Sequence, residues 1–381
     1  MKNSRILSAG IAMFAMLFGS GNIVLSLAIG KDAGDKVGFA LTGFLLGAVA
    51  IPLAGMIATM LVDGDYKKLL GRLGYVPGSL LTLIGMILLG PFGCIPRCIA
   101  TSYAATKHYL PGVSIMLFSV IAALVIFAFT IKRSGVVDIL GTYLGPIKLT
   151  LLIAIIVKGL CSLHTLPVSS LSCSHAFSKG LFGGYGTLDL ISSIFFAGLI
   201  IASIKKHSAD VLDSKAIAIV GLKAGAICAT LLGSMYIGFC LVAAYNAPYL
   251  MHADRYELIN VLAPLILGPQ LGMIANITVG ISCLATAIGI STVFADYLRN
   301  DLFGGNIGYL AALSITIVMS GIMANLGFKG IMETIDPIVR ICYPALIVLS
   351  GLTIGKQMFG VRLIKIPVFI TFLVTIITSV W

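Results

Sequence analysis

The 381-residue chain is 59% hydrophobic and only 10% charged, with a mean hydropathy of +1.09, whereas ordinary soluble domains carry roughly 25% charged residues. So apolar a chain has too little polar surface to cover itself in water, which excludes a soluble fold and makes lipid its solvent. The net charge of +11 reads as a topology signal and not as a nucleic-acid surface, because the basic residues sit in short segments on alternate sides of the apolar runs.

In chain order, apolar runs separated by polar breaks predict about eleven transmembrane helices in a single membrane domain over 1–381. The spans are 7–29, 37–61, 78–106, 113–131, 135–160, 187–204, 215–245, 269–295, 307–324, 334–354 and 366–381. With the N-terminus inside, the inner segments hold fourteen Lys and Arg residues and the outer ones seven. This bias predicts a cytoplasmic N-terminus. The opening MKNSR followed by an apolar run imitates a signal peptide, but with ten further spans it reads as an uncleaved first helix. The largest outer loop is expected over 161–186, rich in Ser and Gly. Cys161 and Cys173 flank it, where free thiols are expected over a disulfide; the other six cysteines lie in spans as small apolar residues.

Motifs of intramembrane chemistry are missing. There is no HExxH, no GxSxG, no DDxxD and no His/Cys cluster with metal-ligand spacing, and all five histidines fall in loops. A membrane-embedded enzyme is therefore the weaker hypothesis, and a channel the third.

The first span carries Leu17-Phe18-Gly19-Ser20-Gly21-Asn22-Ile23 in its middle. Each glycine weakens a helix by roughly 1 kcal/mol relative to alanine. An unwound backbone at that depth is tolerated only where it lines a protein-walled cavity, and its freed N–H and C=O groups suit a carboxylate and a cation. Gly43/Gly47 and Gly221/Gly225 read instead as close helix packing. A second break is expected in the sixth span at Ser192-Ser193-Ile194-Phe195-Phe196-Ala197-Gly198. Broken helices one and six then head two five-helix halves, 7–160 and 185–354, with a further C-terminal helix over 366–381. An odd repeat length inserts the second half upside down, the inverted-repeat architecture with a midplane site. In the eighth span Ser282 and Thr286 share one helical face. Their hydroxyls would either complete a small cation site with carbonyls of helix one or bond their own helix.

These stretches resemble the branched-chain amino acid carrier family, cation-coupled uptake systems of the bacterial inner membrane. The matching segments are Leu17–Asn22, Gly90-Pro-Phe-Gly-Cys-Ile-Pro-Arg-Cys-Ile-Ala-Thr101, Val137–Gly141, Gly184-Tyr-Gly-Thr-Leu-Asp189 and Cys283–Thr292, in the expected order over residues 10–355. The family is similar to the leucine-transporter-type fold. The resemblance implies an amino acid held near Gly19, Ser20, Gly21 and Asn22 and near Ser192, Phe195, Phe196, Ala197 and Gly198. It further implies a sodium site among Ala15, Phe18, Ser282, Ala285 and Thr286, and no other cofactor. The chain departs from the family pattern in three places. Ala285-Thr286 stands where Thr-Thr is usual, Leu25-Ser26 stands where Phe-Pro is usual, and the sequence ends after the eleventh span where a twelfth is usual. The first departure removes a hydroxyl ligand and keeps proton coupling, or uncoupled exchange of another small neutral amino acid, open beside sodium.

Charges in or beside the membrane are functional candidates. Arg97 is expected to pair with a helix-terminal carbonyl cluster or an acid, with attraction of the substrate carboxylate as the alternative. Asp138 and Asp189 are expected as helix caps or protonation sites; Lys148 has no certain partner, and the resemblance to sodium-independent relatives of this fold makes it a candidate to test as a substitute cation at the sodium site. Asp336 and Arg340, four apart, are expected to satisfy each other. The resulting expectation is a secondary transporter importing leucine, isoleucine or valine by alternating access, with an amino acid, a coupling cation and lipid as its partners.

Overall fold

A computed structural model describes residues 3–131, 145–161, 165–206, 214–255, 257–361 and 363–380, and all regular elements among them are helical. The helices are α1 (Asn3–Leu17), α2 (Ser20–Ala33), α3 (Val37–Leu45), α4 (Ile51–Met60), α5 (Tyr66–Leu70), α6 (Tyr75–Leu89), α7 (Cys94–Thr106) and α8 (Ile115–Thr130). They continue with α9 (Gly145–Leu160), α10 (Cys173–Gly186), α11 (Asp189–Lys206), α12 (Ser214–Tyr245), α13 (Leu258–Tyr297), α14 (Tyr309–Ala324), α15 (Gly327–Phe359) and α16 (Lys365–Val380). Among the described residues, six stretches are long and apolar enough to cross a bilayer: Ser20–Met60, Tyr75–Tyr109, Cys173–Ala202, Ile219–Tyr245, Leu258–Leu302 and Gly327–Phe359. Shorter apolar helices accompany them. Large apolar side chains such as Leu124, Ile322 and Leu373 point outward, as they must where the surroundings are acyl chains.

The packing pattern is that of two interchangeable halves. The broken pair α1/α2 lies on α12, and the broken pair α10/α11 lies on α3 and α4; α7 pairs with α13 and α8 with α14. Exchanging α1/α2 with α10/α11, α3/α4 with α12, α7 with α13 and α8 with α14 returns the same set of pairs. Two inverted repeats give this relation. α16 packs outside the core on α15.

Two expectations from the sequence change. Residues 173–186 are a helix, α10, and not the end of an outer loop, so the boundary expected at 185 falls inside a helix. The reason is steric: a Cβ at Gly43 or Gly180 would run into the Phe177 or Ala40 carbonyl, so the glycines of α10 bring it close against α3 and do not loosen it. Cys161 and Cys173 are free and exposed.

Candidate functional site between the broken helices

We call the face where α1 begins proximal and the opposite face distal. α1 stops at Leu17 and α2 starts at Ser20, with Gly19 extended at φ −115°. The Gly19 amide donates to Asn22 Oδ1 at 2.8 Å, so Asn22 ties down the start of the helix it belongs to. Its Nδ2 is thereby aimed away from the break and donates to Asp189 Oδ1 and Oδ2 at 3.0 and 2.8 Å. Tyr236 of α12 donates to Asp189 Oδ2 at 2.6 Å and also contacts Asn22 Nδ2. All three side chains are buried. Asp189 is the first residue of α11, but its carboxylate serves α2 and α12, which couples the two broken helices through neutral donors.

The second break lies at Thr187–Leu188, where Leu188 is held at φ 65°. That conformation costs a non-glycine residue of order 1–3 kcal/mol, and Leu188 is fully buried. The expected site of unwinding is instead continuous helix. Ser192 donates to the Leu188 carbonyl at 2.9 Å and Ser193 to Pro52 O and Leu190 O at 2.8 and 2.9 Å. Phe195 stacks edge-on against Tyr66 at 4.9 Å, Phe196 and Ala197 are buried, and Gly198 lies against Gly64. Phe195 and Gly198 therefore sit toward the proximal face, and the residue of the second break that meets Gly19–Asn22 is Asp189, with Gly186 and Thr187 linked to that stretch through Arg97.

Arg97 of α7 lies between the breaks with 1% of its surface exposed. Nη1 donates to Gly186 O at 2.7 Å and contacts Met332 Sδ at 3.2 Å, while Nη2 reaches Thr187 O and Cys94 Sγ, each at 3.4 Å. Its charge therefore rests on the C-terminal carbonyls of α10, the negative end of that half-helix dipole. Its guanidinium also stands 5.7 Å from the Phe328 ring centre.

On the other side of the first break, Thr286 Oγ1 of α13 lies 3.1 Å from Ala15 O, 3.1 Å from Phe18 O and 3.3 Å from Ser282 O. Three carbonyl oxygens, two from α1 and one from α13, thus converge on one hydroxyl, and oxygen ligands gathered at one point are the chemistry a hard cation needs. Ala285 is buried beside them and brings no hydroxyl. Ser20 accepts from the Cys98 thiol at 3.7 Å. Asp138 lies outside the described residues, and of Lys148 only the helical backbone in α9 is described. Asp336 and Arg340 are bonded at 2.9 Å.

Two cavities approach this centre. The distal one, about 460 Å³, is bounded by Leu25, Lys179, Phe182, Gly186, Met332 and Arg340 among others. The proximal one, about 430 Å³, is bounded by Asp63, Tyr66, Phe195, Gly198, Tyr297 and Asp301 among others. Beside the latter, Tyr66 donates to Asp301 Oδ2 at 2.6 Å and Lys67 pairs with Asp301. Burial, then the hydrogen bond to the Asp301 carboxylate, raises the Tyr66 phenol well above its ordinary pKa, so it remains a donor. The sequence does not single out Tyr236, Tyr66 or Asp301 as site residues. A lone tyrosine inside the apolar run of α12 was the one local signal.

The sequence model of the family described as branched-chain amino acid transport protein matches residues 2–381. The chain is 31% identical over 373 residues to the branched-chain amino acid permease BraB of Bacillus subtilis, covering 93% of this chain and 80% of that one. It is 28% identical over 365 residues to the permease BrnQ of the same organism, with 93% and 82% covered. Among solved structures it is similar to Mhp1, a nucleobase-cation-symport-1 family transporter described with bromovinylhydantoin bound, with TM-score 0.64, 14% identity and 93% and 78% of the two chains covered. It is also similar to MhsT, described in complex with L-phenylalanine, with TM-score 0.61, 15% identity and 96% and 98% covered. Identity this low speaks for the fold alone, which is the leucine-transporter-type fold expected from the sequence. The fold, the two breaks and the full-length match agree: this multi-pass membrane chain is a transporter, not an enzyme, and it belongs to the branched-chain amino acid transport protein family.

Proposed function

We propose that the chain imports leucine, isoleucine or valine across the bacterial inner membrane, with its N-terminus in the cytoplasm, by sodium-coupled alternating access. The amino acid would sit between the breaks at Phe18–Gly19 and Thr187–Leu188, and sodium among Ala15, Phe18, Ser282 and Thr286. The observation that carries this reading is the convergence of the Ala15, Phe18 and Ser282 carbonyls on the single Thr286 hydroxyl. Carbonyl oxygens of the broken helix thus stand at the point where it touches α13. The named relatives, branched-chain amino acid permeases, support the substrate class. The excess of Lys and Arg on the proximal segments supports the orientation.

The test is radiolabelled L-leucine uptake into proteoliposomes under an inward sodium gradient, an inward proton gradient and neither. Sodium-driven, saturable uptake is expected. Proton-driven uptake would move coupling from Thr286 to Asp189, and no leucine uptake by correctly inserted protein would refute the substrate.

A further inference from the structure

Arg97 has work left undone by its present bonds. A guanidinium carries five N–H donors in a planar fork. One short bond, Nη1 to Gly186 O at 2.7 Å, holds it in place. Nη2 has only two long contacts at 3.4 Å, to Thr187 O and Cys94 Sγ, and the buried Nε has no partner among the described residues. The Nε–Nη2 edge, which matches a carboxylate side-on with two parallel bonds, is thus the unspent edge. No carboxylate lies within ion-pair distance of Arg97 among the described residues, although Asp189 is near enough to act on it through space. A buried cation without a paired anion is costly, and a carboxylate arriving at that edge would relieve it.

A second anion-attracting feature stands beside the Nη end of the same guanidinium. Gly21 stands one residue into the 14-residue helix α2. A Cβ there would lie 3.2 Å from Nη2 and 3.4 Å from Cζ and Nη1, so the glycine brings the backbone of the first turn directly against the guanidinium. The Gly19 amide is taken by Asn22, but the following first-turn amides have no intrahelical acceptor and carry the positive end of the helix dipole. The distal cavity reaches the guanidinium's immediate neighbours: two of its lining residues, Gly186 and Met332, are the groups Arg97 Nη1 touches.

We infer that Arg97 is the residue that reads the substrate's carboxylate, accepting it on the Nε–Nη2 edge against the first turn of α2. This inference rests on the amino acid transport proposed above and adds to it a specificity rule: α-amino acids bind, whereas the corresponding amides and amines do not. Arg97 serves α10 as well, so its loss alone proves little, and the informative quantity is discrimination between ligands.

The experiment measures displacement of labelled L-leucine from purified transporter by L-leucine, L-leucinamide and 3-methylbutylamine, for the unsubstituted protein, Arg97→Lys and Arg97→Gln. A charge-assisted bidentate contact is worth about 10- to 100-fold in affinity. The unsubstituted protein should prefer leucine to leucinamide by at least that factor. Arg97→Gln should bring the ratio within a few-fold of one, with Arg97→Lys between the two. A ratio that stays high in Arg97→Gln while both ligands weaken together would make Arg97 a support for α10 only and overturn the inference. Equal affinity of the unsubstituted protein for leucine and leucinamide would overturn it without needing either variant. Failure to bind leucine at all would instead bring down the branched-chain reading, and the Arg97 assignment with it.

Discussion

Substituting Gly19 tests whether the first break is pinned against α13 in the way the cation site requires. Gly19 has φ −115°, extended backbone open to any residue, so alanine there brings no backbone strain. What it brings is a methyl group 2.9 Å from Thr286 Cγ2 and 3.4 Å from Thr286 Cβ and Oγ1, where carbon pairs prefer roughly 3.5–4.0 Å. The break must retreat from α13 by about half an ångström or more, and overpacking of this kind costs about 1–3 kcal/mol. The same retreat draws Ala15 O and Phe18 O away from Thr286 Oγ1. Gly19→Ala is therefore expected to lower the apparent sodium affinity of leucine uptake by about 5- to 150-fold, that energy expressed as an equilibrium constant. Thr286→Ser keeps the hydroxyl and deletes the one methyl that Gly19→Ala strikes, so alone it should change sodium dependence little. Gly19→Ala combined with Thr286→Ser should recover most of the loss. Sodium titrations of uptake in the four proteins form a double-mutant cycle. Additive effects would show that Gly19 and Thr286 do not meet in the working transporter and would refute the geometry of the cation site.

Two further outcomes follow from the polar contacts on either side of the site. Asp189→Asn leaves one acceptor where Asn22 and Tyr236 offer donors and sets two amide groups nose to nose. With about 1–3 kcal/mol for each buried group left unpaired, uptake should fall at least tenfold and the melting temperature of the purified protein should drop, whereas unchanged uptake would remove Asp189 from the site. Tyr66→Phe retains the ring against Phe195 but loses the bond to Asp301. A charge-assisted bond is worth about 1.5–3 kcal/mol, so the proximal side should open about tenfold more often, read as faster thiol labelling of Leu199→Cys in that cavity; an unchanged rate would mean the contact latches nothing.

Much of this was legible in the sequence, and the exceptions have physical causes. The first break was readable because Gly19, Gly21 and Asn22 together are an improbable set for an unbroken apolar helix. Gly43 and Gly47 were readable as close packing and pack on α10. The second break was placed several residues too far along because its real pivot, Leu188, is a residue type with no preference for φ > 0, and only the surrounding tertiary structure holds it there. Ser192, Ser193 and Gly198 imitate a break, yet the serines bond nearby carbonyls and the glycine admits Gly64. Composition does not distinguish a glycine that frees the backbone from one that lets a neighbour close in. Arg97 and Asp189 stood out as charges in apolar surroundings, but their partners lie 89 and 167 residues away in sequence, a separation that no local pattern encodes.

The placement of the two cavities gives the second break its meaning. Gly186 and the rest of α10 that borders a cavity border the distal one, and Phe195, Gly198, Leu199 and Ala202 of α11 border the proximal one. Between them stands a buried layer of Arg97, Asn22, Asp189 and Tyr236. The two half-helices thus belong to different entrances, and the only backbone joining them is Thr187–Leu188. A strained αL residue there is a poor choice for rigidity and a good one for a pivot, because relaxing it releases energy of order 1–3 kcal/mol that can offset the packing and hydrogen bonds given up when an entrance opens. The side chains that bridge the pivot are tied to opposite halves: Arg97 holds the last carbonyls of α10, and Asn22 and Tyr236 hold the first residue of α11. A ligand that engages the Arg97 edge and the start of α2 together would act on α10 and, through Asn22, on α11. Occupancy of the centre would in this way be transmitted to both entrances, which is what alternating access requires of a substrate site.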